Sequence, residues 1–515
     1  MTTTQANAAG HQLADFTDLI DLANERLGGA AVACSDDFFA GMDALTKAKD
    51  AVFDEDAYGD RGKIMDGWES RRSHRNETDA DGTPSRHDWC LVRLGAPGIV
   101  RGVVIDTAFF RGNFPSHAAL EGTSVEGQPS PQELLAASWV TLLDKSALQG
   151  NHKNRFVVAS GRRVTHVRLK IYPDGGVARL RVHGEPLADL RRVGGVDTDL
   201  ELSSALLGGN VVSCSDMFFG SRHNLLYPGL SGGMHDGWET RRSRRVGHDW
   251  AVVKLGVRGV GTRIVADTSH FKGNCPESFA LDATAHFSGD GTAWTEVLPA
   301  QRLQPHTQHV FFDGIAPVDA THVRIRIVPD GGLARFRFFG RPSDTGRDAH
   351  RLARINAMLP KEADAQFLTC CGARAWAAQM AGARPFADRA ALEAAMATAF
   401  SHLTEHDWLE AFAAHPRIGG SKPEGHATAT SQALSSHEQH GMAAASLAVR
   451  TRMQELNAAY LQKHGFIYIV KATGKSADEM LQLLEARVKN DRAVELVNAA
   501  EEQKKITALR VDKLC

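Results

Sequence analysis

The chain contains long stretches of itself twice, and in the same order. ACSDDFFAG (Ala33 to Gly41) returns as SCSDMFFGS (Ser213 to Ser221), and HDWCLVRLG (His87 to Gly95) as HDWAVVKLG (His248 to Gly256). IDTAFFRGNFP (Ile105 to Pro115) returns as ADTSHFKGNCP (Ala266 to Pro276), and THVRLKIYPDGGVARLRVHG (Thr165 to Gly184) as THVRIRIVPDGGLARFRFFG (Thr321 to Gly340). An internal repeat of this length means one domain built twice. The offset is 180 residues between Cys34 and Cys214 but 156 between Thr165 and Thr321. The first copy therefore carries insertions, around Lys47–Gly62 and Asn76–Arg86, in polar sequence of loop character.

The last block identifies the secondary structure. Val167, Leu169 and Ile171 alternate with Arg168 and Lys170; after Pro-Asp-Gly-Gly, Ala178, Leu180 and Val182 alternate with Arg179 and Arg181. Period-2 alternation on both sides of a turn predicts a β-hairpin with one apolar face. The paired arginines would then form the wet face of a sheet. The Phe38-Phe39 and Phe218-Phe219 pairs and the valines of the HDW strands would be core. The two copies are expected to be similar all-β sandwiches.

After about Asp344 the texture changes to Ala, Leu, Glu and Gln. SADEMLQLLEARV opens with Ser476 and Glu479 in capping-box spacing, and Met480, Leu481, Leu484 and Val488 follow at helical period. Ala391–Leu403, Gln432–His464 and Asp491–Leu514 read the same way, so the tail is expected to be all-α. The fold expected is multidomain: an N-terminal tail (1–27), two jelly-roll-like β sandwiches (28–186 and 208–345) joined by a linker (187–207), and an all-α domain (346–515).

Composition excludes several classes. The formal net charge of −2 provides no field to attract nucleic acid or an acidic membrane. No apolar run approaches the roughly 18 residues needed to span a bilayer, and the start has no signal-peptide pattern. Seven cysteines without a CxxC pair fit a reducing cytoplasm.

The chemistry concentrates in DGWESRR (Asp66 to Arg72) and DGWETRR (Asp236 to Arg242). Each packs acids and arginines around one Trp. Two readings stand: a structural Arg–carboxylate knot about a core Trp, or a loop beside a pocket. In the second, arginines clamp a carboxylate and acids accept hydrogen bonds from a ureido NH₂. The candidates are Asp66, Glu69, Arg71, Arg72, Asp236, Glu239, Arg241 and Arg242. His87, Asp88, His248 and Asp249 of the HDW motifs are suited to proton transfer. FRGN and FKGN add a glycine, a cation and an Asn. Acids precede the RRSRR run and no aromatic series accompanies it, which argues against a nucleic-acid partner. No metal is expected; the one HxxxH, His402 to His406, reads as a solvated helix face.

In order, CSDDFF, DGWESRR, HDW, DTAFFRGN and YPDGGVARLRVHG, together with their second copies, resemble allantoicase over about Gly28 to Pro342. That resemblance implies two jelly-roll-like domains that hydrolyse allantoate to (S)-ureidoglycolate and urea; it assigns no role to individual residues. In the tail, CCGARAW, RPF, EAFAAHPRIGG, SSHEQHG and NAAYLQKHGFIYIVKATGKS resemble OHCU decarboxylase, the 2-oxo-4-hydroxy-4-carboxy-5-ureidoimidazoline decarboxylase, over about Leu352 to Leu514. This implies a cofactor-free, all-α enzyme that forms (S)-allantoin by loss of CO₂. Matching positions put catalytic roles on His415, Glu438 and Arg510. They put substrate contacts on Pro416, Ser435, Ser436, His437 and Gln439, and on Tyr468, Ile469, Val470, Lys471 and Ala472. The expectation is a bifunctional enzyme of ureide breakdown acting on small ureido acids, with no cofactor, as a cytoplasmic homo-oligomer without nucleic-acid or membrane partners. The alternative is that the β repeats are a non-catalytic binding or assembly platform.

Overall fold

The computed structural model describes residues 15–74, 77–193, 198–243, 246–416 and 446–514. It divides into two compact units, Met1–Ala357 and Met358–Cys515.

The first repeat is organised by one strand, Asp88–Asp106, of 19 residues. Ordinary strands run to about 5–6 residues; this one is long because it runs through both layers of one continuous eight-stranded sheet. Its first half pairs with Ala30–Cys34 and Arg163–Tyr172, and its second half with Lys153–Val157 and Arg179–Pro186, all antiparallel. The transfer occurs at Gly95-Ala96-Pro97-Gly98. A Cβ on Gly95 would lie 2.6 Å from the Leu27 carbonyl, and one on Gly98 2.4 Å from that of Glu185, so the corner needs glycine. His117–Thr123 and Val140–Ala147 extend the first layer beyond Arg163–Tyr172, and Ile20–Asp21 extends the second beyond Arg179–Pro186. A sandwich whose central strand turns from one layer into the other is the result. The second repeat copies it around Asp249–Asp267, with Leu200–Glu201 in the place of Ile20–Asp21. Each repeat thus draws a short strand from upstream of the bounds read from the repeated motifs.

The apolar faces are buried as the alternation predicts. Val167, Leu169, Ile171, Leu180 and Val182 are fully buried in one core, and Val323, Ile325, Ile327 and Phe336 in the other. Complete burial of such a side chain is worth about 1.5–3 kcal/mol.

Three expectations fail for identifiable reasons. The hairpin does not form. Arg163–Tyr172 and Arg179–Pro186 do not pair with each other; both pair with Asp88–Asp106, on its opposite edges. Alternation identifies a strand but not its neighbour, and Pro173-Asp174-Gly175-Gly176 crosses between layers. The arginines are not a wet face. Arg179 and Arg335 are buried, and Arg168 and Arg324 are half-buried in ion pairs with Glu121 and Asp282. The phenylalanine pairs are not core: Phe218 and Phe219 are 63% and 62% exposed and Phe39 42%. They follow the strand end, where the chain has left the sheet.

The helix Asp344–Ala357 lies in the β unit. Its His350 bonds the Ala188 carbonyl at 2.8 Å, and Arg354 meets Asp189 at 3.4 Å, so it fastens the segment between the repeats. The second unit is helical: Pro360–Cys371, Arg374–Gly382, Arg389–Ser401, Glu405–Ala413, Leu447–His464, Ala477–Arg487 and Arg492–Val511 among the described residues. Ser476 and Glu479 form the expected capping box. No described helix is long and apolar enough to cross a membrane.

Candidate active sites

In each repeat the motifs that recur in sequence meet at one place. Trp68 and Glu69 pair with Val177 and Gly176 of the PDGG segment. Gly176 N–H donates to the Asn113 carbonyl at 2.8 Å, and Asn113 Nδ2 donates to Glu69 Oε1 at 2.7 Å. The Phe110 ring lies so close that a Cβ on Gly176 would come within 1.9 Å of it, and Gly175 before it has φ +131°, so both positions need glycine. Buried Trp68 donates Nε1–H to the Asp36 carbonyl at 2.8 Å, and the Asp36 carboxylate takes Arg71 N–H at 2.7 Å and its guanidinium at 3.2 Å. Ser73 N–H donates to Asp174 at 2.6 Å. The second repeat matches bond for bond. Asn274 Nδ2 reaches Glu239 at 2.6 Å, Trp238 Nε1 the Asp216 carbonyl at 2.8 Å, Arg241 Nε the Asp216 carboxylate at 2.9 Å, and Ser243 N–H Asp330 at 2.7 Å.

The candidates of this cluster separate into holders and exposed groups. Asp66 accepts from buried Arg179 at 2.7 Å and from Lys47 at 3.1 Å. Burial alone would raise its pKa; the hydrogen bonds from Arg179, Val52 N–H and Lys47 outweigh that and hold it at about 2. Asp236 does the same with Arg335 at 2.8 Å and with Arg26, which reaches across from the first repeat. These carboxylates are the structural knot. Arg71 and Arg241 are tied to Asp36 and Asp216 and lie over the Phe38 and Phe218 rings, at 4.4 and 4.9 Å. Asp88 and Asp249 accept from Ser35 and Ser215, at 3.1 and 2.7 Å, and so brace the neighbouring strand. His87 leans on Tyr172, with ring centres 5.2 Å apart; burial and the charges of Lys170 and Arg168 lower its pKa. His248 is exposed.

Glu69 and Glu239 with their asparagines, and Arg72 and Arg242, are left for chemistry. Glu69 is half-buried, and burial raises its pKa against the Asn113 hydrogen bond and the Arg72 charge. Arg72 and Arg242 are exposed and form no ion pair among the described residues. Asn113 and Asn274 are the amides of the FRGN and FKGN motifs, and each fixes the glutamate of its own repeat. Among the described residues no group of three His, Cys, Asp or Glu could hold a metal ion.

The helical unit buries its candidates. Glu405–Ala413 ends two residues before His415, whose N–H bonds the Phe412 carbonyl at 3.1 Å. His415 is 8% exposed, and its Nε2 has no hydrogen-bond partner among the described residues. Burial, then the charge of Arg510, lowers its pKa to about 3, while Gln503 acts weakly the other way. Gln503, Thr507 and Arg510, spaced four and three apart on Arg492–Val511, are all buried. The 467–472 segment is irregular, as expected. Arg487 donates to the Ile469 carbonyl at 2.8 Å, Glu502 accepts Lys471 N–H at 2.7 Å, and the Tyr468 ring lies 5.5 Å from that of Tyr460. Phe412 and Phe466 touch, 5.4 Å between centres, so the segments bearing His415 and Tyr468 are packed together. Val470 is buried and Ala472 half-buried. Pro416 is the last residue described before 417–445. Ser435, Ser436, His437, Glu438 and Gln439 lie outside the described residues.

The allantoicase repeat model matches residues 20–187 and 200–343, and the OHCU decarboxylase model residues 356–512. A protein named probable allantoicase from Streptomyces avermitilis is 45% identical over 66% of this chain and 90% of its own. The crystal structure of allantoicase from Saccharomyces cerevisiae is 32% identical, covering 62% of this chain and 92% of its own, with a TM-score of 0.52. A crystal structure of OHCU decarboxylase in the presence of (S)-allantoin is 37% identical over 29% of this chain and 96% of its own, with a TM-score of 0.25. The chain belongs to the allantoicase family and carries an OHCU decarboxylase domain behind its two repeats.

Proposed function

We propose that the β repeats hydrolyse allantoate to (S)-ureidoglycolate and urea, and that the helical domain decarboxylates OHCU to (S)-allantoin. The observation that carries the first activity is the Glu–Asn pair beside an arginine without an ion pair, present in both copies. Allantoate is a carboxylate bearing two ureido groups. Arg72 or Arg242 suits the carboxylate as a planar fork. Breaking the C–N bond requires a proton on the departing ureido nitrogen, and water supplies the new hydroxyl. A half-buried Glu69 with a raised pKa is suited to hold and deliver that proton. Asn113 fixes its orientation. Urea release from allantoate by the full chain, with and without chelator, tests the assignment; no release from a folded chain favours the platform reading.

For the decarboxylase, the supporting observation is a buried, neutral His415 under the influence of Arg510. An anionic substrate entering beside them offsets the arginine's charge and raises the imidazole pKa, so the histidine takes up the proton that it returns to the carbon left by CO₂. Arg510 orients the anion, and the backbone groups of 468–472 bind ring amides. Glu438 orients the imidazole or the substrate hydroxyl. Glu438→Gln is expected to lower decarboxylation steeply with the fold intact; a near-normal rate removes it from the mechanism.

Six free cysteines among the described residues support a cytoplasmic setting. The exposed Phe218, Phe219 and Leu230 support a homo-oligomer.

A further inference from the structure

Between the two repeats lies a cavity of about 210 Å³ that uses none of the residues proposed for catalysis. The first repeat contributes Asp21, Arg26 and His183, and the second Asn210, His223 and Tyr227. At five of these six positions the copies differ; at the sixth, Asp21 falls on Glu201, an acid in both. The strand registers align Ala30 with Asn210 and His183 with Phe339. The short helices after them align Arg26 with Leu206 and Asp43 with His223, and Lys47 then falls on Tyr227. A duplicated fold retains what both copies need in order to fold. Here Arg26, His183 and Asn210 fall on the apolar Leu206, Phe339 and Ala30, so these polar side chains belong to a junction that exists once.

The cavity's hydrogen-bonding atoms are unevenly committed. Its cations are occupied: Arg26 by Asp236, by Asn224 at 3.1 Å and by the Tyr227 ring at 3.8 Å, and nearby Arg181 by the Lys47 and Ala48 carbonyls. Its acceptors are committed only in part. Asp21 is 7% exposed; its Oδ1 accepts the Ala23 and Val182 N–H groups, while its Oδ2 makes no hydrogen bond and only a 3.5 Å ion pair with Arg181. Asn210 Oδ1 is buried without a partner. His183 Nδ1 lies 2.9 Å from the Leu19 carbonyl and therefore carries the proton, which leaves Nε2 as an acceptor. The His223 ring makes no hydrogen bond among the described residues; burial, then Arg222, lowers its pKa to about 4, so it is neutral at pH 7. Buried acceptors without donors cost stability unless something supplies N–H or O–H groups.

We propose that this cavity binds a small uncharged ureide or amide, a molecule with several N–H donors, a carbonyl and no net charge. The ligand's N–H groups meet Asp21, Asn210 and His183, and its carbonyl meets the His223 or Tyr227 donor. An anion finds no uncommitted cation here, and a cation wastes the imidazole and phenol donors. The argument is independent of the activities proposed above, and neither hydrolysis nor decarboxylation is needed to test it.

The test is titration of hydantoin into the full chain by calorimetry, with ureidoacetate as the anionic probe and methylguanidinium as the cationic one. Hydantoin is expected to bind more tightly than either by ~10-fold. Asn210→Leu and His223→Phe are each expected to weaken it by ~10-fold, whereas Asn113→Ala, Asn274→Ala and His415→Ala leave it unchanged. Absence of hydantoin binding, indifference to the two cavity variants, or preference for a charged probe would overturn the proposal. Crystals of the unaltered chain soaked in hydantoin keep the test independent of variant folding: density within the cavity supports it, and density elsewhere or none refutes it.

Discussion

The two repeats carry the same cluster in different surroundings. Trp68 and Trp238, Glu69 and Glu239, Asn113 and Asn274, and Asp36 and Asp216 make the same bonds to within about 0.3 Å. The knot behind them is anchored differently. Asp66 is held by Arg179 and Lys47 of its own repeat, whereas Asp236 is held by Arg335 and by Arg26 of the other. Residues kept in both copies build the sandwich and its local chemistry; residues that changed serve the junction. Duplication therefore preserved two potential reaction centres and created one new interface.

The sharpest way to break this comparison is to disable the glutamates one at a time. Glu69→Gln or Glu239→Gln is expected to lower the hydrolysis carried by that copy by about 10²–10⁴-fold. Steady-state urea release then apportions activity: a collapse in one variant alone identifies a single working copy, and partial losses in both identify two. Next comes the knot. Arg179→Ala and Arg335→Ala each leave a carboxylate against a buried hole, and roughly 3–5 kcal/mol of stability should be lost in urea unfolding. If the knot is the structural element, both variants lose it alike.

Smaller effects separate the anchors. Arg26→Ala removes an inter-repeat tie and Lys47→Ala an exposed local one; the former should lower the unfolding midpoint more, because surface pairs contribute only about 0–1 kcal/mol. A pH series isolates Asp66. Its folded pKa, about 2, lies below the ordinary value of 3.8, so its contribution is present above about pH 4 and is lost as the pH falls toward 2. Asp66→Asn is expected to flatten that part of the acid unfolding curve, and an unchanged curve would remove Asp66 from the knot.

Much of this was legible in sequence. The alternation at Val167, Leu169 and Ile171 gave the strand and its buried face, and Ser476 with Glu479 gave the helix start, because both signals are local. Strand partners were not legible: nothing within Tyr172-Pro173-Asp174-Gly175-Gly176 states that its flanking strands join opposite halves of Asp88–Asp106. The fate of the arginines was hidden for the same reason. Arg168 and Arg179 have the same local pattern, and only contacts with Lys49 and Asp66 bury the second, as Gly229 and Asp236 bury Arg335. In the site, the acid–arginine cluster was visible, but its division into holders and exposed groups depended on Lys47, Arg26 and Arg179, which are remote in sequence. His415 was legible only through the resemblance of EAFAAHPRIGG to OHCU decarboxylase, which assigns its role by position.

The central claim is that each β repeat is a reaction centre built on its Glu–Asn pair, separate from the decarboxylase behind it. The direct measurement is urea release from allantoate by the Glu69→Gln, Glu239→Gln double variant of the full chain, with decarboxylation of OHCU measured on the same protein. The account predicts a fall in urea release of at least ~100-fold with decarboxylation unchanged. Urea release at the level of the unaltered chain would contradict it.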